Sequence, residues 1–178
     1  SFAFANGHTF FNQVPHLQDL GFPAVEAAIA VQAVGIGSAI GKFGFGWLCD
    51  YIHPRYIMIM GSALELGATC MLMAFDASLP LWMLWGYGLV MGLGMGSWLP
   101  AISMTTSATF GLMAYAVAFG IYNMLFNIGC AVGPVIGGYI FDTTGAYRFS
   151  FILCLFAYLI SIAAMFLMPD HLAGGDAV

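Results

Sequence analysis

Charged side chains are scarce in this chain of 178 residues, which has three Lys or Arg and eight Asp or Glu. Only 6 % of the residues are charged and 62 % are hydrophobic. This composition excludes an ordinary soluble domain, in which about 25 % of the residues are charged. The net charge of −5 rests on few groups and indicates no nucleic-acid partner, because nucleic acids bind basic surfaces. The chain therefore has the composition of a protein that crosses a membrane several times.

Patterns typical of enzymes and metal sites are also missing. The four cysteines lie singly within or at the ends of apolar runs, and no pair has metal-ligand spacing. There is no nucleophile elbow and no phosphate loop, and the glycines lie on helix faces rather than at strand-to-helix turns. We therefore expect no enzymatic activity, no cofactor and no metal.

Long apolar runs make up most of the chain. Crossing a bilayer core takes about 20 helical residues, and five of the six runs reach this length. Backbone groups in lipid must bond within their own segment, so each run is predicted to be a helix. The predicted helices cover residues 2–17, 24–49, 56–75, 81–109, 113–141 and 149–168. The sequence thus predicts an all-α membrane protein, a six-transmembrane-helix bundle over residues 1–172 with a tail at 173–178. Because Ser1 leads directly into apolar sequence, we expect a fragment or one half of a longer protein.

A glycine spacing of four, five and four residues occurs twice, 92 residues apart. It joins Gly37, Gly41, Gly46 and Asp50, and then Gly129, Gly133, Gly138 and Asp142. Each set ends the middle helix of a three-helix unit, which favours a 3+3 inverted repeat over a chance match in a glycine-rich chain. Glycines four residues apart also predict helix faces that pack closely.

Lys42 is a lone cation inside an apolar run of helix length. A charge within a membrane segment costs roughly 3 kcal/mol or more unless it faces water, a partner or a substrate. One alternative is that its long stem reaches back toward the Asp50 end of the helix. We favour the other, in which Lys42 faces a central cavity and binds a substrate carboxylate.

Further polar residues predict the walls of this cavity. In the first helix, His8, Asn12 and His16 form one stripe at i, i+4 and i+8, with Asn6 and Gln13 beside it. Such a stripe lines an aqueous pathway or makes hydrogen bonds between helices. We favour the pathway. A proton relay by His8 or His16 is the weaker hypothesis.

The later helices offer fewer candidates. Asn123 and Asn127 share one face of the fifth helix, and Trp98 lies near the bend expected at Pro100, so these three are candidate substrate contacts. Glu65 is the only acid deep in a helix. Its alternatives are a protonated, hydrogen-bonded packing residue, which we favour, and a proton-coupling carboxylate.

Two motifs resemble those of the major facilitator superfamily of secondary transporters. Gly46, Asp50 and Arg55 match the loop signature G-x-x-x-D-R-x-G-R-[RK]. The chain differs from this signature at Tyr51, His53 and Pro54. Gly120, Gly129, Gly133, Pro134, Gly137 and Gly138 fit the helix motif G-x8-G-x3-G-P-x2-G-G. The resemblance implies helices seven to twelve, half of a twelve-helix fold, with Gly46, Asp50 and Arg55 as a cytoplasmic latch.

Within the superfamily, the chain is similar to monocarboxylate and oxalate/formate-type carriers. The resemblance rests on the run from His16 to Phe22 and on Gly41-Lys42 four residues before Gly46. Those carriers place a substrate-binding Arg at the position of Lys42, and mammalian-type monocarboxylate carriers place an acid at the position of Ser38. The chain has no basic residue inside the fifth helix, which favours a monocarboxylate over a dicarboxylate.

The sequence thus predicts a transporter for a small organic anion that works by alternating access. Its expected partners are the small organic anion, the lipid bilayer of the cell membrane (plasma or inner), and a missing six-helix half or a second copy. Two alternatives stay open. One is an efflux antiporter for lipophilic drugs, suggested by the Gly-Pro motif and the many Met and Phe residues. The other is a non-transporting membrane subunit or truncated remnant.

Overall fold

The computed structural model describes residues 1–76, 79–145 and 147–167, and every regular element within them is an α-helix. In chain order the helices are α1 (Phe2–Asp19), α2 (Ala24–Leu48), α3 (Pro54–Met73), α4 (Leu81–Thr144) and α5 (Arg148–Leu167). Among these described helices, the four from α2 to α5 are long and apolar enough to cross a membrane. The prediction of an all-α membrane protein is therefore confirmed for the residues that the structure describes. The predicted tail at 173–178 and the last residue of the sixth predicted helix, 168, lie outside the described residues.

The 64-residue helix α4 consists of two arms that fold back on each other at Gly111. Gly111 has φ 66° and ψ 172°, a conformation that is essentially restricted to glycine. In a straight helix, Trp98 and Phe126 would be about 42 Å apart at 1.5 Å per residue. Their ring centroids are instead 3.8 Å apart. The first arm (residues 81–110) and the second arm (residues 112–144) therefore lie side by side.

The contact between α2 and the first arm of α4 is made by bare backbone. A Cβ atom at Gly37 would lie 2.6 Å from the carbonyl oxygen of Leu89, and one at Gly96 would lie 2.7 Å from the Cα of Gly41. Four-residue glycine spacing on both helices clears one continuous face, so the backbones can approach this closely. The position of α2 is set by these glycines.

The contact between α1 and the second arm of α4 is built in the same way. A Cβ atom at Gly133 would lie 2.6 Å from the backbone nitrogen of His8, and one at Gly129 would lie 2.8 Å from the Cβ of Ala3. Gly7 on α1 faces the backbone of Cys130. The second arm thus closes on α1 through a small-residue face.

Helices α3 and α5 pack against each other and complete the bundle. The hydroxyl of Tyr158 on α5 donates to Glu65 on α3, and Arg55 at the start of α3 donates to the carbonyl of Phe166 near the end of α5. A core of buried apolar side chains fills the interior, including Leu17, Leu72, Leu84, Tyr87, Met91 and Phe151. The ends of α1, α3 and α4 meet the start of α5 around a cavity of about 320 Å³ on one face of the bundle.

Adding one methyl group to the glycine face of α2 tests whether this contact determines stability. Gly37→Ala should destabilise the chain by about 1–3 kcal/mol, because the new Cβ overlaps the first arm of α4. Gly35→Ala is the matched control, since no atom of the described residues lies within 4 Å of its Cβ position. That change should be neutral or stabilising, because Ala is the better helix former. The midpoint of thermal unfolding in detergent checks both, and equal midpoints would contradict the contact.

Candidate functional site

Lys42 lines a cavity of about 230 Å³ between α1, α2 and both arms of α4. The cavity is lined by Phe2, Asn6, Ser38, Lys42, Met95, Trp98, Leu99 and Phe126. Position 42 directly follows Gly41, whose close approach to Gly96 holds this part of α2 against the first arm. The glycine contact therefore determines where the ammonium group is presented.

The ammonium group of Lys42 has no counter-charge in the part of the chain that the structure describes. No carboxylate within residues 1–76, 79–145 and 147–167 forms an ion pair with it, and its side chain is exposed. A positive charge in an apolar surround attracts an anion strongly, because water screens the interaction poorly there. The arrangement can hold one negatively charged group of a small molecule.

A second cavity, of about 560 Å³, adjoins the first and shares Asn6 and Met95 with it. Asn127 lines this larger cavity together with Pro134 of the second arm. The Asn127 amide donates to the carbonyl of Asn123 on its own helix, at 2.7 Å. Asn127 therefore contributes a polar side chain to a mostly apolar wall.

Trp98 and Asn123 have different surroundings. Trp98 is buried, and its ring lies tilted against Phe126 and Tyr122 with centroid distances of 3.8 and 5.2 Å, so it joins the two arms of α4 beside Lys42. Asn123 is half-buried and its amide donates to the carbonyl of Phe119 on the same helix. Trp98 is thus a wall of the Lys42 cavity, while the Asn123 amide binds its own helix.

His8 and Asn12 are buried against the second arm of α4. A Cβ atom at Gly137 would lie 2.5 Å from both His8 Nε2 and Asn12 Nδ2. The Asn12 amide donates to the carbonyl of His8, and the His8 ring meets Phe151 edge-on at 5.3 Å. The hydrogen bond of Asn12 is within α1, and neither ring nitrogen of His8 has a hydrogen-bond partner among the described residues.

Glu65 is completely buried and accepts three hydrogen bonds from neighbouring helices. The Asn6 amide nitrogen donates to both carboxyl oxygens, at 3.1 and 3.0 Å, and the Tyr158 hydroxyl donates to Oε2 at 2.8 Å. Gly94 makes room for this side chain, because a Cβ atom there would lie 2.6 Å from the Glu65 Cγ. The cluster therefore joins α1, α3 and α5 through hydrogen bonds.

His16 lies about 15 Å further along α1 than Asn6, at 1.5 Å per residue. It lines the cavity of about 320 Å³ at the end of the bundle, together with Asp19, Tyr147 and Arg148. Its ring meets Phe151 at 4.9 Å. His16 is therefore separated from the Lys42 cavity.

Tyr147 lies between α4 and α5. Burial and the nearby carboxylates of Asp19 and Asp142 raise the pKa of its hydroxyl group.

The residues of the loop signature lie where α2 passes into α3. Gly46 faces Pro100 of the first arm, with 4.0 Å from its Cβ position to the Pro100 Cβ. Asp50 is exposed in the turn after α2, and Arg55 donates to the Phe166 carbonyl at 2.5 Å. The guanidinium therefore ties the start of α3 to the end of α5.

The helix-motif residues divide between two environments. Gly129, Gly133 and Gly137 face α1, and Pro134 lines the larger cavity. At Gly138, none of the described residues has an atom within 4 Å of the Cβ position. Within the same described residues, no three His, Cys, Asp or Glu side chains are grouped so that they could hold a metal.

Asn6 and Met95 line the site but were not predicted to do so, and Ser38 was named only as the position of an acid in similar carriers. Asn6 was noted only as a neighbour of the His8 stripe. Its spacing of seven from Gln13 places both on a second face of α1, and the Gln13 side chain accepts from Tyr87 at 2.9 Å. That spacing is the signal that marks Asn6 as facing the inside of the bundle.

These features define an integral membrane protein that crosses the bilayer several times and has a cationic cavity between its helices. The sequence profile of the Major Facilitator Superfamily matches residues 1–176, and the chain belongs to this family. Its members are transporters, so the predicted resemblance is confirmed and the chain is not an enzyme.

Curated relatives of this chain carry the name monocarboxylate transporter. Monocarboxylate transporter 11 of Mus musculus is 29 % identical over 148 residues, which is 79 % of this chain and 33 % of that protein. Monocarboxylate transporter 12 of Rattus norvegicus is 29 % identical over 160 residues, covering 85 % of this chain and 32 % of that protein. The human transporter 12 is 28 % identical over 158 residues, with 85 % and 30 % covered. The chain therefore spans about a third of the length of these relatives.

The two adjacent glycines near the end of α4 test the contact behind His8 and Asn12. Gly137→Ala should lower the unfolding temperature, because its Cβ overlaps both side chains. Gly138→Ala changes the same residue type one position later, where the Cβ position is open, and should leave that temperature unchanged or raise it. Equal losses in the two variants would show that α1 does not pack on this face.

Proposed function

We propose that this chain is half of a secondary transporter that moves a small monocarboxylate across the membrane by alternating access. One observation carries the proposal: Lys42 lines a cavity between helices and has no counter-charge among the described residues. An intramembrane charge in this position marks a substrate pathway by default. Membership of the superfamily and the names of the relatives support the same substrate class.

The number and kind of charges favour a monocarboxylate. The chain has three basic residues, and Arg55 and Arg148 lie at the starts of α3 and α5. Lys42 therefore binds one carboxylate alone in this half. A lysine holds a carboxylate as a point charge, without the planar two-point grip of arginine. This weaker grip suits a carrier, which has to release its substrate on the far side.

The remaining candidate residues shape the cavity in this proposal. Trp98 forms an apolar wall beside Lys42, and Asn127 is the polar contact in the larger cavity. His8 and Asn12 contribute indirectly, because they pack between α1 and the second arm at Gly137. The backbone carbonyl of Asn123 accepts a hydrogen bond from the Asn127 amide, so the two residues share one face of the second arm. Glu65 and His16 remain candidates for proton coupling.

The helix contacts support a six-segment, 3+3 inverted repeat once α4 is counted as two segments. Helix α2 is the middle segment of the first unit, and it packs on the first arm of α4, which is the first segment of the second unit. In the same way, the second arm of α4 is the middle segment of the second unit, and it packs on α1, which is the first segment of the first unit. The third segments, α3 and α5, contact each other. Two units related by a pseudo-two-fold axis would produce this exchange.

A six-segment half encloses only part of a pathway, so we propose a second half, on the same polypeptide or in another copy. In this arrangement Gly46, Asp50 and Arg55 form the latch between halves. Arg55 is bound to the end of α5, which leaves the exposed Asp50 to engage the other half. The complete transporter is expected in the cell membrane.

Replacing Lys42 tests the substrate class. In the complete transporter, Lys42→Ala should reduce lactate uptake about ten- to a hundred-fold, because a hydrogen bond to a charged group is worth about 1.5–3 kcal/mol. Lys42→Arg should retain part of the uptake, since it keeps the charge. Uptake of labelled lactate at matched surface expression is the measurement. Normal uptake by Lys42→Ala would remove this residue from the site.

Reconstitution of this chain alone tests the need for a second half. Monomeric chain in liposomes should give no specific flux of lactate, because half of the pathway wall is missing. Flux that rises with the population of crosslinked dimers would assign the second half to another copy. In the complete transporter, inhibition by lipophilic cations but not by small carboxylates would replace the proposed function with drug efflux.

A further inference from the structure

Asn6 lies where the Lys42 cavity meets the interior of the bundle. It is 6 % exposed and lines both the cavity of about 230 Å³ and the adjoining one of about 560 Å³. Lys42 lines the smaller of the two. Asn6 is therefore the buried amide that a molecule bound at Lys42 would meet.

The orientation of the Asn6 amide is determined by Glu65. The amide nitrogen is bound at 3.1 and 3.0 Å to the two carboxyl oxygens. Tyr158 holds one of these oxygens from the other side, at 2.8 Å. Both neighbours of the carboxyl group are donors, so it acts as an acceptor toward them. Because the amide nitrogen and oxygen share one carbon atom, binding the nitrogen to Glu65 turns the oxygen away from it.

The amide oxygen of Asn6 is thus left for the cavity. Among the described residues no donor binds this oxygen, while the residue itself lines both cavities. An amide oxygen can only accept a hydrogen bond. The Lys42 ammonium group and the Asn6 amide oxygen then belong to the wall of one small cavity, and each can bind a different group of the substrate.

We infer that Asn6 is a specificity-determining residue, whose amide oxygen accepts a hydrogen bond from a donor on the substrate while Lys42 binds the carboxylate. Glu65 and Tyr158 are positioning residues that keep the amide in this orientation. The substrate class is a small monocarboxylate with a hydroxyl group next to the carboxylate, a 2-hydroxy acid. The inference rests on the proposed function and narrows it.

The chemistry of the acceptor predicts an order among acids of similar size. A 2-hydroxy acid donates to Asn6, whereas a 2-oxo acid brings a second acceptor to the same place and an unsubstituted acid brings none. A neutral hydrogen bond of this kind changes affinity about three- to ten-fold. The hydroxy acid is therefore expected to bind most tightly.

Three acids measured on one set of variants test the inference. In the complete transporter, 2-hydroxypropanoate should compete for uptake about three- to ten-fold better than propanoate or 2-oxopropanoate. Asn6→Leu keeps the size of the side chain and removes the acceptor, so this preference should disappear while propanoate uptake is retained. Glu65→Gln offers the Asn6 amide both a donor and an acceptor, so the preference should fall there as well.

The outcomes separate this inference from the proposed function. If Asn6→Leu reduces the transport of all three acids equally, the inference is overturned, because that pattern indicates a structural role alone. Equal competition by the three acids in the unmodified transporter would overturn it too, while Lys42-dependent uptake of propanoate would leave the proposed function standing. If no monocarboxylate competes and Lys42→Ala has no effect, the proposed function itself fails.

Tyr158→Phe, which removes one of the three hydrogen bonds on Glu65, should weaken the preference less than Glu65→Gln.

Discussion

The approach of bare glycine backbone on one helix to bare backbone on the next is the constraint on which the rest of this structure depends. Lipid tails are as apolar as the side chains, so helices in a membrane associate by close packing rather than by a hydrophobic force. At Gly41 and Gly96 the gap is too small for a methyl group. Because Lys42 follows Gly41 directly, the contact that joins α2 to α4 also presents the ammonium group to the cavity.

Glu65 and Lys42 have opposite surroundings, because Glu65 is buried among hydrogen-bond donors whereas Lys42 is exposed beside a cavity. Glu65 receives three hydrogen bonds from Asn6 and Tyr158, so its carboxyl group connects three helices. Lys42 lines a cavity and has no counter-charge among the described residues. A buried acid with partners contributes to packing, whereas a cation without one is suited to binding a solute.

Much of this arrangement can be predicted from the sequence, because helices and their small-residue faces are local properties. The membrane-length helices, the turn near Gly111 and the isolation of Lys42 all follow from residue order. The partners of a polar stripe do not. His8 and Asn12 share a face, but spacing along α1 cannot tell whether that face meets a cavity or Gly137. Asn6 was passed over for the same reason, because its role depends on Glu65, 59 residues away.

Binding and movement are assigned to the same helix in the proposed cycle. Helix α2 carries the ammonium group, and its neighbouring face meets the first arm of α4 through the bare backbone of Gly37 and Gly41. A smooth face allows small rotations at little cost, whereas interdigitated side chains would have to unlock first. Any rocking of α2 would move Lys42 relative to Asn6, because Asn6 belongs to α1 and is hydrogen-bonded to Glu65 on α3. A substrate that bridges the two residues would then bind one arrangement of the helices better than the other, and this difference is what couples binding to a change of state.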